Sequence, residues 1–252
     1  MLRRGVRIDL FGVLGAVFGV LVAPLIFLVA LLRRRRLFHG RGLSWRGEVT
    51  PCASDPRAQR IAARLRGFVL ARLSASVTPG PEEVPDWLGG GFRFRADAVA
   101  TAVLAPGDQD LLVASLASFG KLTRAKRETD VHDFLNNDYF AIAPYQVEGM
   151  GPAKVRLRGS RKEPQTDTRT ERLRLAAQHG EAVFRLELQP TGERAWLAVA
   201  DITLREPVVI DNGDWYMTPF HAGRGMSPRG FIHGIRLVAY PVGRTARRLR
   251  GG

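Results

Sequence analysis

The chain has 252 residues and a net charge of +14, carried mainly by arginine. This length allows one or two domains, and the charge suits anionic lipid, nucleic acid or the carboxylates of a bound cofactor. No helix-turn-helix, zinc finger or RNA-binding aromatic motif occurs, so we do not expect a nucleic-acid partner. The single cysteine, Cys52, excludes an intrachain disulfide. The sequence leaves open whether the protein forms a homo-oligomer.

An apolar run near the start predicts a membrane anchor. Residues 8–32 contain one charged residue, Asp9, and as a helix they would measure about 37 Å, against about 30 Å for the hydrocarbon core. Four arginines at 33–36 follow as a stop-transfer flank. A cleavable signal peptide is the alternative, but its apolar part is usually shorter. We therefore expect an uncleaved, single-pass anchor over 1–35 that binds membrane lipid through residues 8–32.

More arginines follow the apolar run than precede it. Because positively charged flanks tend to stay in the cytoplasm, we expect a cytoplasmic soluble domain over 36–252.

Residues 56–75 show helical spacing. Apolar residues stand at Ile61, Leu65, Phe68 and Leu73, which predicts one amphipathic helix.

The rest of the chain is dominated by strand patterns. A short capped helix is expected at 129–135, and a last helix at 231–239, which Pro241 would kink or end. Strands are predicted, mainly by period-two alternation, at 43–50, 92–95, 98–103, 108–119, 138–147, 153–158, 184–188, 195–202 and 207–210. Many short strands with few helices predict an α+β fold built on a barrel.

Two arginine-rich fragments near opposite ends carry the main chemical signal. The first reads Arg-Leu-Phe-His-Gly-Arg-Gly at 36–42. The second reads Arg-Leu-Val-Ala-Tyr-Pro at 236–241, with Arg247 seven residues after Tyr240. On a helix, Arg236 and Tyr240 share a face, and the guanidinium would stabilise a deprotonated phenol. Such a tyrosinate is an axial ligand of haem iron. The alternative for Tyr240 is an amphipathic core tyrosine.

At these residues the chain resembles the haem catalase superfamily. Catalases carry Arg-Val-Val-His-Ala-Arg-Gly around the distal histidine and Arg-Leu-Phe-(Ser/Ala)-Tyr-Pro around the proximal tyrosine. Phe-Arg-Phe at 92–94, Leu-Asn-Asn at 135–137 and Ser-Pro at 227–228 are similar to further catalase fragments and occur in the same order. The resemblance spans 36–249 and implies a catalase-like antiparallel β-barrel with a C-terminal proximal helix. Because the chain is short, it resembles the reduced barrels of small haem peroxidases and allene oxide synthases.

The resemblance also implies a site for haem b. Tyr240 would bind the iron, with Arg236 beside it. His39 would handle the proton of a peroxide, and Asn136, or Asn137 if the register differs by one, would hold the peroxide in place. Further arginines would bind the cofactor at its propionates: Arg36, Arg93 and Arg247. The alternatives are a membrane stop signal for Arg36, solvated surface arginines, and a turn at 136–138.

Where the sequence differs from the catalase pattern, the differences affect the expected peroxide chemistry more than the expected haem binding. Arg95 stands where catalases have a small hydroxyl residue, and Val-Gly at 242–243 replaces Asp-Thr after the proximal tyrosine. We expect a membrane-anchored haem oxidoreductase of the peroxidase or catalase type, acting on organic or lipid hydroperoxides. The alternatives are a non-catalytic, membrane-tethered catalase-like scaffold, a haem carrier or sensor, and a hydrolase using His132 with Asp130 and Asp133.

Overall fold

The computed structural model describes residues 9–32, 42–76, 83–160, 168–210 and 215–249. The α-helices in these residues are Leu10–Leu32 (α1), Pro56–Leu65 (α2), Leu122–Glu128 (α3), Arg169–Gln178 (α4) and Phe231–Arg248 (α5). The strands are Leu43–Pro51 (β1), Gly67–Ala75 (β2), Leu88–Arg95 (β3), Gln109–Ala114 (β4), Asp138–Phe140 (β5), Tyr145–Val147 (β6), Gly151–Gly159 (β7), Val183–Pro190 (β8), Leu197–Pro207 (β9) and Met226–Pro228 (β10).

Eight of the strands close into an antiparallel barrel. Around the ring, the order is β7, β5, β4, β3, β2, β1, β9 and β8, and β8 pairs back with β7. Outside the ring, β6 pairs with the first residues of β7 and with β10. Closure satisfies the strand edges that an open sheet would expose. The predicted α+β fold, an antiparallel barrel followed by a C-terminal helix, is confirmed.

The barrel interior is filled by side chains that alternate along each strand. In β3, Phe92 and Phe94 belong to the hydrophobic core, whereas Arg93 and Arg95 project from the opposite face of the strand. Phe92 meets Phe184 of β8 edge to face inside the barrel, with ring centroids 5.8 Å apart. A small barrel packed in this way has no open lumen, so any ligand site must lie outside it.

The single helix predicted over 56–75 is wrong in its second half. α2 begins after Asp55, whose side chain caps it, and ends at Leu65, and β2 follows from Gly67. Gly67 has φ of +129°, a backbone conformation that glycine adopts readily, so the chain leaves the helix there. β2 is buried on both faces, and such a strand lacks the polar alternation that would have revealed it.

Other local predictions also differ from the structure. Residues 98–103 form a loop because their carbonyl groups accept hydrogen bonds from Arg93 and Arg95 instead of pairing with a strand. Residues 129–135 form turns. α5 continues through Pro241 to Arg248, although a proline lacks the N–H that would bond four residues back.

α1 is long and apolar enough to cross a membrane, with mean hydropathy of 2.6 over Leu10–Val29. Its single-pass topology, the cytoplasmic side and the domain boundary at 35/36 stay predictions. α1 packs along α5, with Gly15 against the backbone of Phe231 and Gly19 against Ile235 and Val238. The helix that carries Tyr240 is therefore the direct neighbour of the apolar helix.

Candidate functional site

α5 places Arg236 and Tyr240 one turn apart on a continuous helix, as their spacing predicted. Both side chains are partly buried. On the same helix, His233 is 2% exposed, and its ring packs edge to face on Tyr145 of β6 with centroids 5.1 Å apart. This contact seats one face of α5 on the strands beside the barrel.

The charges and protons of these groups influence one another. Burial, and then the charge of Arg236, lowers the pKa of His233 to about 3, so the ring is neutral at pH 7. Burial raises the pKa of Tyr145, and Tyr240 adds to this rise whereas Arg236 opposes it. His233, Arg236, Tyr240 and Tyr145 therefore form one electrostatic site, which we call the α5 site.

Buried polar atoms in the α5 site have no hydrogen-bond partner: Nδ1 and Nε2 of His233, Oη of Tyr145 and Nη1 of Arg236. The Ala143 carbonyl lies near His233 and the Leu112 amide lies near Tyr145, but neither contact has good hydrogen-bond geometry. An unpaired buried polar group costs about 1–3 kcal/mol. Native proteins pair nearly all such groups with protein, water or a ligand, so a water molecule or a ligand would satisfy these atoms.

A small cavity adjoins His233, with Phe220 and Gly234 in its lining. Its volume of about 10 Å³ is at the lower limit for one water molecule. This cavity is too small for a haem and is not lined by Tyr240, so it is not the position of the cofactor. The chemistry of the α5 residues does fit an iron ligand: a phenol has a cation one helical turn away, among buried polar groups that lack partners.

Arg93 is fully buried in an ion pair with Asp110. Its Nε and Nη2 donate to the two carboxylate oxygens at 2.8 and 3.0 Å. Its Nη1 and Nη2 also donate to the carbonyls of Ala102 and Tyr216. Four of the five guanidinium N–H groups therefore bond to protein atoms. The propionate contact of Arg93 stays a prediction, and the structure gives this side chain a different set of partners.

Asp110 is also the partner of His221, whose Nδ1 lies 2.7 Å from a carboxylate oxygen. His221 lies edge to face with Tyr216, with ring centroids 6.1 Å apart. Arg244 of α5 lies 4.7 Å over the ring of Tyr216. The Arg93–Asp110–His221 network therefore reaches α5 one turn beyond Tyr240.

Neither Asp110 nor His221 was predicted from the sequence to belong to a site. Arg93 and Asp110 stand directly opposite each other in β3 and β4, and opposite charges at such positions are a recognised cross-strand pair. The only charged residue of β4 was the available signal for Asp110. The sequence around His221 gives no comparable signal.

The two asparagines predicted for the peroxide side lie in a turn. Asn136 is exposed, and its amide donates to a carboxylate oxygen of Asp130 at 2.8 Å. Asn137 is buried, accepts a hydrogen bond from the Asp130 amide, and donates to the carbonyls of Asp130 and Asp133. These bonds match the turn alternative, and among the described residues no hydrogen bond joins either asparagine to Tyr240. The peroxide role of Asn136 stays a prediction.

Three of the predicted haem-site residues have no described side chain. Arg36 and His39 lie outside the described residues, and the side chain of Arg247 is not described, so their roles stay predictions. His132 is exposed, with Nδ1 2.7 Å from a carboxylate oxygen of Glu83. Within the described ranges, no group of three or more His, Cys, Asp and Glu residues is arranged to hold a metal ion.

Comparison with solved structures identifies the fold. The chain is similar to catalase A from Saccharomyces cerevisiae, with a TM-score of 0.58 and 13% identity over 84% of this chain and 61% of that chain. It is similar to a fungal catalase with the same score and identity, over 84% of this chain and 59% of that chain. The chain therefore has a catalase-like fold and spans about 60% of the length of these catalases. No family model and no curated protein matches it.

Proposed function

We propose that the chain is a haem-binding, catalase-like protein that reacts with peroxides, with Tyr240 as the iron ligand. The observation that carries this proposal is the α5 site, where Tyr240 and Arg236 lie one turn apart beside buried polar atoms that lack partners. The catalase-like fold supports the proposal, because the resemblance to catalases predicts that the proximal tyrosine lies on the C-terminal helix.

The residues of α5 define what the protein contributes. Tyr240 would hold the iron as a phenolate, the kind of ligand that catalase also uses. Arg236 lies one helical turn from Tyr240, where its charge would favour a phenolate bound to iron. His233 is neutral at pH 7 and adds no second positive charge. Haem, when bound, supplies the redox-active iron at which the O–O bond of a peroxide is cleaved.

We assign proton transfer at the peroxide to His39. General acid–base assistance is typically worth about 10²–10⁴-fold, so His39→Ala should lower peroxide turnover by at least about tenfold while haem stays bound. His221→Ala tests the alternative, because Nδ1 of His221 lies 2.7 Å from a carboxylate oxygen of Asp110, and a carboxylate partner of this kind often orients a histidine that transfers protons. A loss confined to His221→Ala would move the role to His221.

Organic or lipid hydroperoxides are the proposed substrates. α5 carries Tyr240 and packs directly against the apolar helix α1, so a bilayer in contact with α1 would concentrate lipid hydroperoxides beside the site. Turnover of a fatty-acid hydroperoxide should exceed that of hydrogen peroxide when vesicles are present. Faster consumption of hydrogen peroxide would contradict this preference.

Haem binding is tested by titrating full-length, detergent-purified protein with haemin. We expect saturation at one haem per chain and peroxide-dependent turnover of the loaded protein. Binding that never saturates, or that is equal in heat-unfolded protein, would contradict the proposal.

A non-catalytic, membrane-tethered barrel is the second candidate. Two observations favour it: the guanidinium of Arg93 is hydrogen-bonded to protein atoms, and Asn136 is exposed in a turn. Stoichiometric haem binding without peroxide turnover would indicate a haem carrier or sensor. The absence of both would leave the scaffold function.

A further inference from the structure

One half of α1 is an uninterrupted apolar surface. Among the described residues, ten of the seventeen exposed large apolar side chains belong to this helix. They are Leu10, Phe11, Val13, Leu14, Val17, Phe18, Val20, Leu21, Leu25 and Leu28. At about 100° per residue they cover roughly half of the helix circumference. We call this surface the α1 apolar face.

The opposite side of α1 is a stripe of glycines that packs on α5. A Cβ atom at Gly15 would lie on the carbonyl of Phe231, and a Cβ at Gly234 of α5 would lie on the carbonyl of Gly12. Such close approach of two helix backbones is possible only with small residues. α5 therefore separates α1 from the barrel and leaves the α1 apolar face directed outward.

Asp9 connects the start of α1 to the strands beside the barrel through hydrogen bonds. One carboxylate oxygen accepts hydrogen bonds from the amides of Gly12 and Gly230, at 3.0 and 3.1 Å. The other accepts from Nε of Arg229 at 3.0 Å. Arg229 in turn donates to the Gln146 side chain in β6 at 2.9 Å. Asp9 and the strands beside the barrel therefore lie on the same side of any membrane that meets α1.

The other end of α1 is tied to the barrel by a short connection. Residues 33–41 join α1 to β1 and contain five arginines, and this connection spans at most about 36 Å. If α1 crossed a bilayer with Asp9 still bound to Arg229, these arginines would have to return through about 30 Å of hydrocarbon. Charged side chains and unpaired backbone in lipid make that path unfavourable. A spanning α1 and the Asp9–Arg229 contact therefore exclude each other.

We propose that α1 lies in the plane of an anionic bilayer surface, with its apolar face in the lipid and both of its ends on the barrel side. α1 itself has no polar face, but α5 covers its glycine side, so the pair of helices presents one broad apolar face, as an interfacial element does. Charge complementarity identifies the lipid as anionic, because the chain has a net charge of +14, four arginines follow α1 at 33–36, and α5 exposes Arg244 and Arg248.

Labelling from one side of the membrane tests the topology. Cys52 is the only cysteine and is exposed, so it reports the side of the barrel. In a Cys52→Ser background, Gly5→Cys reports the side of the N-terminus. An impermeant maleimide added to right-side-out and inverted membrane vesicles should label both positions from the same side. Labelling from opposite sides would establish a spanning α1 and overturn the proposal.

Vesicle binding tests the lipid face. In flotation with phosphatidylglycerol-containing vesicles, Leu21→Glu should weaken binding of the full chain at least tenfold. The control Val103→Glu places the same change on another exposed apolar residue and should leave binding unchanged. Binding to neutral phosphatidylcholine vesicles should be weaker than to anionic ones, and equal binding would overturn the anionic assignment. A lipid-free dimer that Leu21→Glu converts to monomers, without vesicle binding by the unmodified chain, would show that a second copy covers this face.

Discussion

His233 and Tyr145 lie edge to face across the contact between α5 and β6, with ring centroids 5.1 Å apart, and the polar atoms of both rings lack hydrogen-bond partners. A proton added to His233 would place a buried charge next to Arg236. The packing of α5 against β6 should therefore depend on pH.

Folding stability should fall as the pH decreases from about 6.5 toward 3. The pKa of His233 is about 3 in the folded protein and about 6.5 in the unfolded chain, so the unfolded chain binds more protons in this window. Linkage then predicts a loss on the order of 3 kcal/mol between pH 7 and pH 4. Urea unfolding at several pH values measures it. His233→Gln should flatten the pH dependence, whereas exposed His179→Gln should retain it. An unchanged slope in His233→Gln would contradict the assignment.

The features that could be predicted from the sequence are those that depend only on residues close together in the chain. Arg236 and Tyr240 could be placed on one face because a helix fixes residues four apart. The pairing of Arg93 with Asp110 depends on the register of two strands, which a single sequence does not specify. In the turn at 136–138, a shift of one residue decides which asparagine is buried. The boundary near Gly67 was missed because its positive φ has no signature in the apolar pattern.

The Arg93–Asp110 pair should behave as a structural ion pair. Removing one partner of a buried pair typically costs about 3–5 kcal/mol, so Arg93→Met should destabilise the protein by this amount. The control is Glu128→Gln, which breaks the exposed Arg124–Glu128 pair and should cost less than about 1 kcal/mol. Chemical unfolding of the unloaded protein compares them. If Arg93→Met instead leaves stability intact and weakens haem binding, the propionate role is correct.

Substitutions at the two adjacent asparagines should distinguish a structural role from a role in the reaction. Asn137→Ala removes bonds to Asp130 and Asp133 and should cost about 1–3 kcal/mol of stability. Asn136→Ala removes one exposed bond and should leave stability nearly unchanged. Thermal unfolding measures both variants. A tenfold loss of peroxide turnover in Asn136→Ala, with normal stability, would support its predicted role at the peroxide.

Gly67→Ala should destabilise the start of β2. The backbone has φ of +129°, and a Cβ atom would lie 2.7 Å from the carbonyl oxygen of Arg95. We expect a loss of more than about 1 kcal/mol. Gly120→Ala is the control, because nothing lies within 4 Å of its Cβ position. Equal unfolding midpoints for the two variants would contradict this account of the boundary between α2 and β2.

The most direct test of the central claim is resonance Raman spectroscopy of the haem-loaded, full-length protein, which detects vibrations of an iron–phenolate bond. The chain has four tyrosines, so single Phe substitutions at Tyr139, Tyr145, Tyr216 and Tyr240 form a complete set. We predict iron–phenolate bands in the unmodified protein and in the first three variants, and their loss in Tyr240→Phe alone. Bands that persist in Tyr240→Phe, or that are absent from the unmodified protein with stoichiometric haem, would contradict Tyr240 as the iron ligand.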